Sequence, residues 1–195
     1  MAQTWLDIKI VVDEHTILLY SPYHPHLPPK LRGLGRWDAT RKVWVFPNTP
    51  DALQRIKGAL IDVFGWDGVS PEVEVCDVAV VLSGWGSMEF WGLGRCVYRP
   101  YRDGRLRVAY WVEVQDEPGG GGSRKHPAIE WAHLIFRCVP LTLVSQLKNS
   151  NNSKLTLDVF NVRKVNVVEI ARNINSRTFQ GGESERLAVM LALTY

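Results

Sequence analysis

Basic and aromatic residues interleave in Gly35-Arg36-Trp37-Asp38-Ala39-Thr40-Arg41-Lys42-Val43-Trp44-Val45-Phe46, and that mixture has a definite chemistry. Cations neutralise phosphates while flat rings accept stacked bases, so the stretch suits a nucleic-acid surface. The competing reading is an ordinary hairpin that buries Trp44 and Phe46 and leaves its charges in water. Lys30 and Arg32 lie just upstream, so residues 30–42 set five cations against the single acid Asp38. A second cluster follows at 95–107, where Arg95, Arg99, Arg102, Arg105 and Arg107 face only Asp103. Between the two, residues 62–89 hold Asp62, Asp67, Glu72, Glu74, Asp77 and Glu89 with no Lys or Arg. The formal net charge of +3 decides little, whereas this segregation points to a charged partner.

The second cluster reads as a hairpin turning at Arg102-Asp103-Gly104-Arg105, because Asp-Gly supplies the positive φ of a tight turn. Alternation assigns Leu106, Val108, Tyr110, Val112 and Val114 to a core face and Arg105, Arg107, Trp111 and Glu113 to the opposite face. With Arg99 and Tyr101 aligned on the incoming strand, the expectation is an exposed patch of Arg99, Tyr101, Arg105, Arg107 and Trp111. Downstream, Gly119-Gly120-Gly121-Gly122-Ser123-Arg124-Lys125 places Arg124 and Lys125 beside a glycine-rich tip that could approach a phosphate. It lacks both the phosphate-loop and the dinucleotide spacing, so it reads as a hairpin tip.

Catalytic chemistry has little support. His24-x-His26 is a conceivable metal pair, but prolines surround it and no Cys or carboxylate cluster accompanies it. His15, His126 and His133 stand alone, no serine sits in G-x-S-x-G, and Cys76, Cys96 and Cys138 are widely spaced. The expectation is a non-catalytic protein without metal or cofactor, with buried thiols in a reducing compartment.

The elements that must position the first cluster are well marked. Apolar runs over 5–12 and 16–20 flank a polar Asp13-Glu14-His15 turn, and a short helix is expected to end at Gly33 or Gly35. Thr49-Pro50-Asp51 is a helix start, with Thr as N-cap and Pro in the first turn. Leu53, Ile56, Leu60 and Phe64 share one helical face and Gly65 supplies the stop. The order is β-β-α-β-β-α over the first 65 or so residues.

That layout, with Arg36, Trp37, Asp38, Thr40, Arg41, Trp44 and Phe46 in order, resembles the HARP-type module of annealing helicases and its relatives in phage and mobile-element proteins. The resemblance covers about 15–65. It implies recognition of branched or partly single-stranded DNA, and no motor, since no G-x-x-x-x-G-K-[ST] loop is present.

The chain's 195 residues contain no run of 18 apolar residues and no basic region leading into an apolar stretch, so no membrane association and a cytoplasmic location are expected. An α+β fold is expected in three parts: a HARP-like module over 1–66, an antiparallel β domain or small barrel over 67–145, and a C-terminal strand with helices over 146–195 for packing or homodimerisation. The last boundary follows composition: all eight tryptophans lie at or before Trp131, while asparagine is concentrated after residue 148. Val167, Ile170, Ala171 and Ile174 recur at helical spacing, and 183–193 reads as another helix. Two functions remain open. One is an accessory protein of phage or mobile-element type that binds forked or single-stranded DNA through Lys30, Arg32, Arg36, Trp37, Arg41, Lys42 and the second patch. The other is an anti-defence, anti-CRISPR-like inhibitor that uses the acidic segment 62–89 to occupy a host complex at its nucleic-acid site.

Overall fold

In a computed structural model that describes residues 4–100, 104–117, 121–123, 125–150 and 152–168, the protein is α+β, built on three antiparallel sheets. The first sheet joins β1 (Lys9–Val12), β2 (Thr16–Tyr20), β3 (Arg36–Asp38) and β4 (Val43–Pro47) in the order β1-β2-β4-β3. A 3-10 turn, Trp5–Asp7, precedes β1, capped by the Thr4 hydroxyl and the Asp7 carboxylate. The apolar run at 5–12 is therefore a capped turn followed by a strand, because Thr4 and Asp7 form a reciprocal capping box.

Between β2 and β3 lies the short helix α1 (Leu27–Leu31), which ends before the glycines at 33 and 35. After β4 comes α2 (Pro50–Phe64), whose N-cap Thr49 accepts a hydrogen bond from the Ala52 N–H at 3.1 Å. Ile56, Leu60 and Phe64 are buried against Ile17, Leu19 and Phe46 of the sheet. Gly65 closes α2 at φ 75°, and a side chain there would meet Pro140 at 2.6 Å. Both the left-handed backbone and the close approach call for glycine.

The second sheet is built on two long strands, β5 (Glu72–Trp85) and β11 (Pro127–Pro140). Its order is β10-β11-β5-β12, where β10 is Gly121–Gly122 and β12 is Leu155–Asn166, and β9 (Val112–Asp116) also pairs with β11. The third sheet is β6 (Glu89–Gly92), β7 (Arg95–Tyr98) and β8 (Arg107–Val108). Its Phe90 and Val97 share a core with Val78, Val80, Leu134 and Phe136 of the second sheet.

Residues 155–166 pair with β5 from Leu155↔Leu82 to Asn166↔Glu72, so a boundary at residue 146 would cut through the central sheet. Composition suggested a border there, but backbone pairing ignores composition. A helix the sequence reading did not anticipate, α3 (Leu141–Asn149), follows β11 and buries Leu143 and Val144. Residues from 4 to 66 pack on the same sheet: Trp5, Phe64 and Trp66 share a cluster with Val75, Trp111, Cys138 and Val167. The Trp5 indole N–H donates to the Cys138 carbonyl at 3.1 Å. The helical spacing read at 170–174 and the helix at 183–193 lie outside the described residues. Among the described residues no helix is long and apolar enough to cross a membrane.

Candidate nucleic-acid interface

The β3–β4 hairpin is set by its turn. The Asp38 carboxylate accepts the backbone N–H groups of Thr40 and Arg41, each at 3.0 Å, and Lys42 takes φ 53°. This side-chain-to-backbone turn explains why Asp stands at the tip of a basic strand pair. Gly35 lets β3 lie close on β4, since a Cβ there would meet a Phe46 ring carbon at 2.3 Å.

Register places Trp37 opposite Trp44, so their rings share a face with Phe46. Trp44 stacks on Phe46 at 6.3 Å and 24°, and Trp37 meets Trp44 edge-on at 5.6 Å and 62°. The rings climb from buried Phe46 through half-buried Trp44 to Trp37, which is 48% exposed on the edge strand. The two readings of the sequence therefore apply to different rings: Phe46 and Trp44 anchor the core, and Trp37 is presented to solvent.

Arg32, Arg36, Arg41 and Lys42 are exposed, and among the described residues no carboxylate pairs with their side chains. Lys30 differs, because its ammonium reaches the Asp62 carboxylate at 2.7 Å and ties α1 to α2. Both partners are largely solvated, so the pair contributes little stability and yields readily to another anion.

The patch expected at 95–111 is not assembled. Arg99 is 3% exposed, donating to the Gly104 carbonyl and, at 3.2 Å, to the Glu117 carboxylate. It shares the inward face of β7 with Arg95 and Val97, so its guanidinium braces the hairpin from inside. Trp111 is also 3% exposed. Its φ of 64° ends the alternation that assigned it outward, and the chain leaves β8 at this point to form β9 against β11. Arg105 and Arg107 do lie at the surface, each already engaged within the molecule. Lys125 is exposed in a tight turn in which Ser123 and His126 exchange backbone hydrogen bonds at 3.0 and 3.1 Å. Tyr101 and Arg124 lie outside the described residues.

Two buried polar groupings escaped the sequence reading. Arg95 donates to the Arg137 carbonyl at 2.6 Å and the Cys138 carbonyl at 2.9 Å, with its guanidinium 5.6 Å from the Trp111 ring centre. Burial pulls its pKa down to about 10, still charged at neutral pH. On the central strand, Asp77 accepts from the Cys138 N–H at 2.9 Å, from Arg137 at 3.2 Å and from the Asn161 amide at 3.3 Å. Arg137 also forks onto Glu113 at 3.0 and 3.2 Å. Burial opposes ionisation of Asp77, but the Cys138 N–H, Asn161, Arg163 and Arg137 outweigh it and hold the carboxyl below its usual range.

The cause of this convergence is topological. β11 bulges between Phe136 and Val139, β12 bulges between Phe160 and Arg163, and Asp77 sits between the two irregularities. Cys138 and Asn161 both take φ 52° there. Such register shifts leave no local signature in the sequence.

The acidic segment is largely consumed by the fold. Asp62 pairs with Lys30, Glu72 with Lys164, Asp67 caps the Val69 and Ser70 N–H groups, and Glu89 holds the Trp91 indole. Burial pushes the thiols of Cys76, Cys96 and Cys138 up to about 11, which leaves them poor nucleophiles at neutral pH. Burial also lowers His24, with charge from His26 adding to it, to about 4, so its imidazole is neutral. No protein-family model matches the chain, and no curated protein shows significant sequence similarity to it.

Proposed function

We propose that the protein is a non-catalytic nucleic-acid-binding accessory protein that engages DNA through the β3–β4 hairpin, in keeping with its likeness to HARP-type modules of phage and mobile-element proteins. One observation carries the reading: Arg32, Arg36, Arg41 and Lys42 are exposed on the hairpin that presents the half-exposed Trp37 and on its approach, and among the described residues no carboxylate pairs with them. Cations without carboxylate partners and an exposed ring on one hairpin suit backbone neutralisation and base stacking. A cation that served only the fold would be expected to find a carboxylate or carbonyl, as Arg95, Arg99 and Arg137 do.

The inhibitor reading stands second. A nucleic-acid mimic has to present an array of free carboxylates, and of the six acids in 62–89 Asp77 is buried, Asp62 and Glu72 meet lysines in surface pairs, and Asp67 and Glu89 accept hydrogen bonds from their own neighbourhood. A gel-shift series with single-stranded, duplex and forked DNA at two salt concentrations tests the proposal. Binding that weakens as salt rises, and weakens further in R36A/R41A/K42A, is the expected result. Salt-independent binding, or no binding to any of the three, would overturn it.

A further inference from the structure

A second aromatic face lies on the outer side of the β6–β7–β8 sheet. Register sets Glu89 opposite Tyr98, Trp91 opposite Cys96, and Tyr98 opposite Arg107. Directly opposed residues share a face, and the intervening Phe90 and Val97 are buried, so Trp91, Tyr98 and Arg107 point away from the core. Tyr23, from the loop before α1, joins them with its ring edge-on to Trp91 at 5.9 Å and 76°. Tyr23 is 73% exposed and Tyr98 40%.

These rings stand on a firm base. The Glu89 carboxylate accepts the Trp91 indole N–H at 3.0 Å, which fixes the ring. His24, buried and neutral, backs Trp91 at 5.0 Å. Beneath the sheet Phe90 packs edge-on against Trp85 at 5.1 Å and Phe136 at 6.2 Å.

We propose that Tyr23, Trp91 and Tyr98 form a stacking platform for the unpaired bases of a single strand, with Arg107 beside Tyr98 adding positive potential. The inference rests on the nucleic-acid reading above and narrows its substrate class. A duplex keeps its base faces within its own stack, so a platform of ring faces can reward only bases that have left it. Every base has such a face, so the platform selects single strands without selecting sequence. It also explains why a solvent-facing sheet surface carries a tyrosine from a separate loop in addition to its own two rings.

The test compares oligothymidylate with an abasic deoxyribose-phosphate strand of equal length, measured by fluorescence anisotropy. Wild-type protein should bind the thymidylate strand roughly tenfold tighter or more, the scale of one stacked base. Tyr23→Ala and Tyr98→Ala should shrink that ratio while leaving abasic-strand affinity and the salt slope unchanged, and Tyr98→Trp should preserve it. The R36A/R41A/K42A variant should weaken both strands and keep the ratio, so failure of the hairpin and failure of the platform give different patterns. Cross-links from 5-iodouracil strands should map to Tyr23, Trp91 or Tyr98. A wild-type ratio near one, or a ratio that survives both tyrosine substitutions, would overturn the platform even if the hairpin variant loses affinity. Binding to neither strand would overturn it as well, and would leave these rings to a protein partner.

Discussion

The two arginine-rich hairpins carry the same formal charge excess, five cations against one acid in each, and use it in opposite ways. In the first cluster Lys30 pairs with Asp62, while Arg32, Arg36, Arg41 and Lys42, on the β3–β4 hairpin and its approach, are exposed and meet no carboxylate among the described residues. In the 95–107 hairpin Arg95 and Arg99 turn inward and spend their donors on backbone carbonyls and Glu117. The difference comes from which face of each strand meets the core. Arg36 faces away from the Trp37–Trp44–Phe46 ladder, whereas Arg95, Val97 and Arg99 share the core side of β7. Local charge density therefore does not report exposure; the parity of each cation against its apolar neighbours does.

The widest gap between the hairpins should appear in stability. Trp111→Ala removes a buried ring and should cost about 3–5 kcal/mol, while Trp37→Ala on the exposed edge should cost about 1 kcal/mol or less. Arg95→Ala should be comparably severe, because it empties a buried volume and removes a donor from the Arg137 and Cys138 carbonyls, whereas Arg36→Ala should be nearly neutral. Urea unfolding midpoints of the four variants check both pairs. Equal losses at Trp37 and Trp111 would erase the distinction between the hairpins.

Acid should separate the interior from the surface next. The folded His24 has a pKa near 4, below its ordinary 6.5, so the unfolded chain binds the extra proton between those values. Stability should accordingly fall as pH drops from about 6.5 toward 4, by up to about 1.4 kcal/mol per unit. His24→Phe should flatten that slope even if it lowers stability overall. A slope unchanged by the substitution would show that some other group carries it.

Legibility followed the locality of the signal. The start of α2 at Thr49-Pro50, its stop at Gly65 and the β3–β4 turn at Asp38 were readable because each is fixed by residues within a few positions of itself. Arg99 was misplaced because the face of the incoming strand was assigned from its charges, although it shares the parity of the apolar Val97, and Trp111 because alternation was carried unbroken through 105–114, past the left-handed backbone at that residue. The strand of β12 was visible in Leu155, Leu157 and Val159, but its place beside β5 was not, since pairing over some 80 residues leaves no local trace. The Asp77–Arg137–Glu113 grouping was invisible for the same reason: it exists only where two bulges flank a third strand. At the interface, Arg32, Arg36, Trp37, Arg41 and Lys42 were singled out from sequence alone, whereas the Tyr23–Trp91–Tyr98 face needed the register of β6 on β7 and the path of the loop before α1.

A smaller effect concerns binding. Trp37→Ala should weaken single-stranded DNA binding roughly tenfold if its ring stacks on a base, with the melting temperature nearly unchanged. Arg105→Ala and Arg107→Ala, on cations already engaged within the molecule, should change duplex affinity less than Arg36→Ala does. Titrations at one fixed salt concentration would rank them, and the reverse order would move the principal interface to the second hairpin.

The central claim is that the β3–β4 cations neutralise phosphates, and the salt dependence of DNA binding tests it most directly. Affinity for duplex and for single-stranded DNA should be measured across a salt series for the wild type and for R36A/R41A/K42A. The account predicts that the slope of log affinity against log salt flattens by about 0.9 for each lost contact on duplex and about 0.7 on a single strand. A variant that folds normally and keeps the wild-type slope would contradict it.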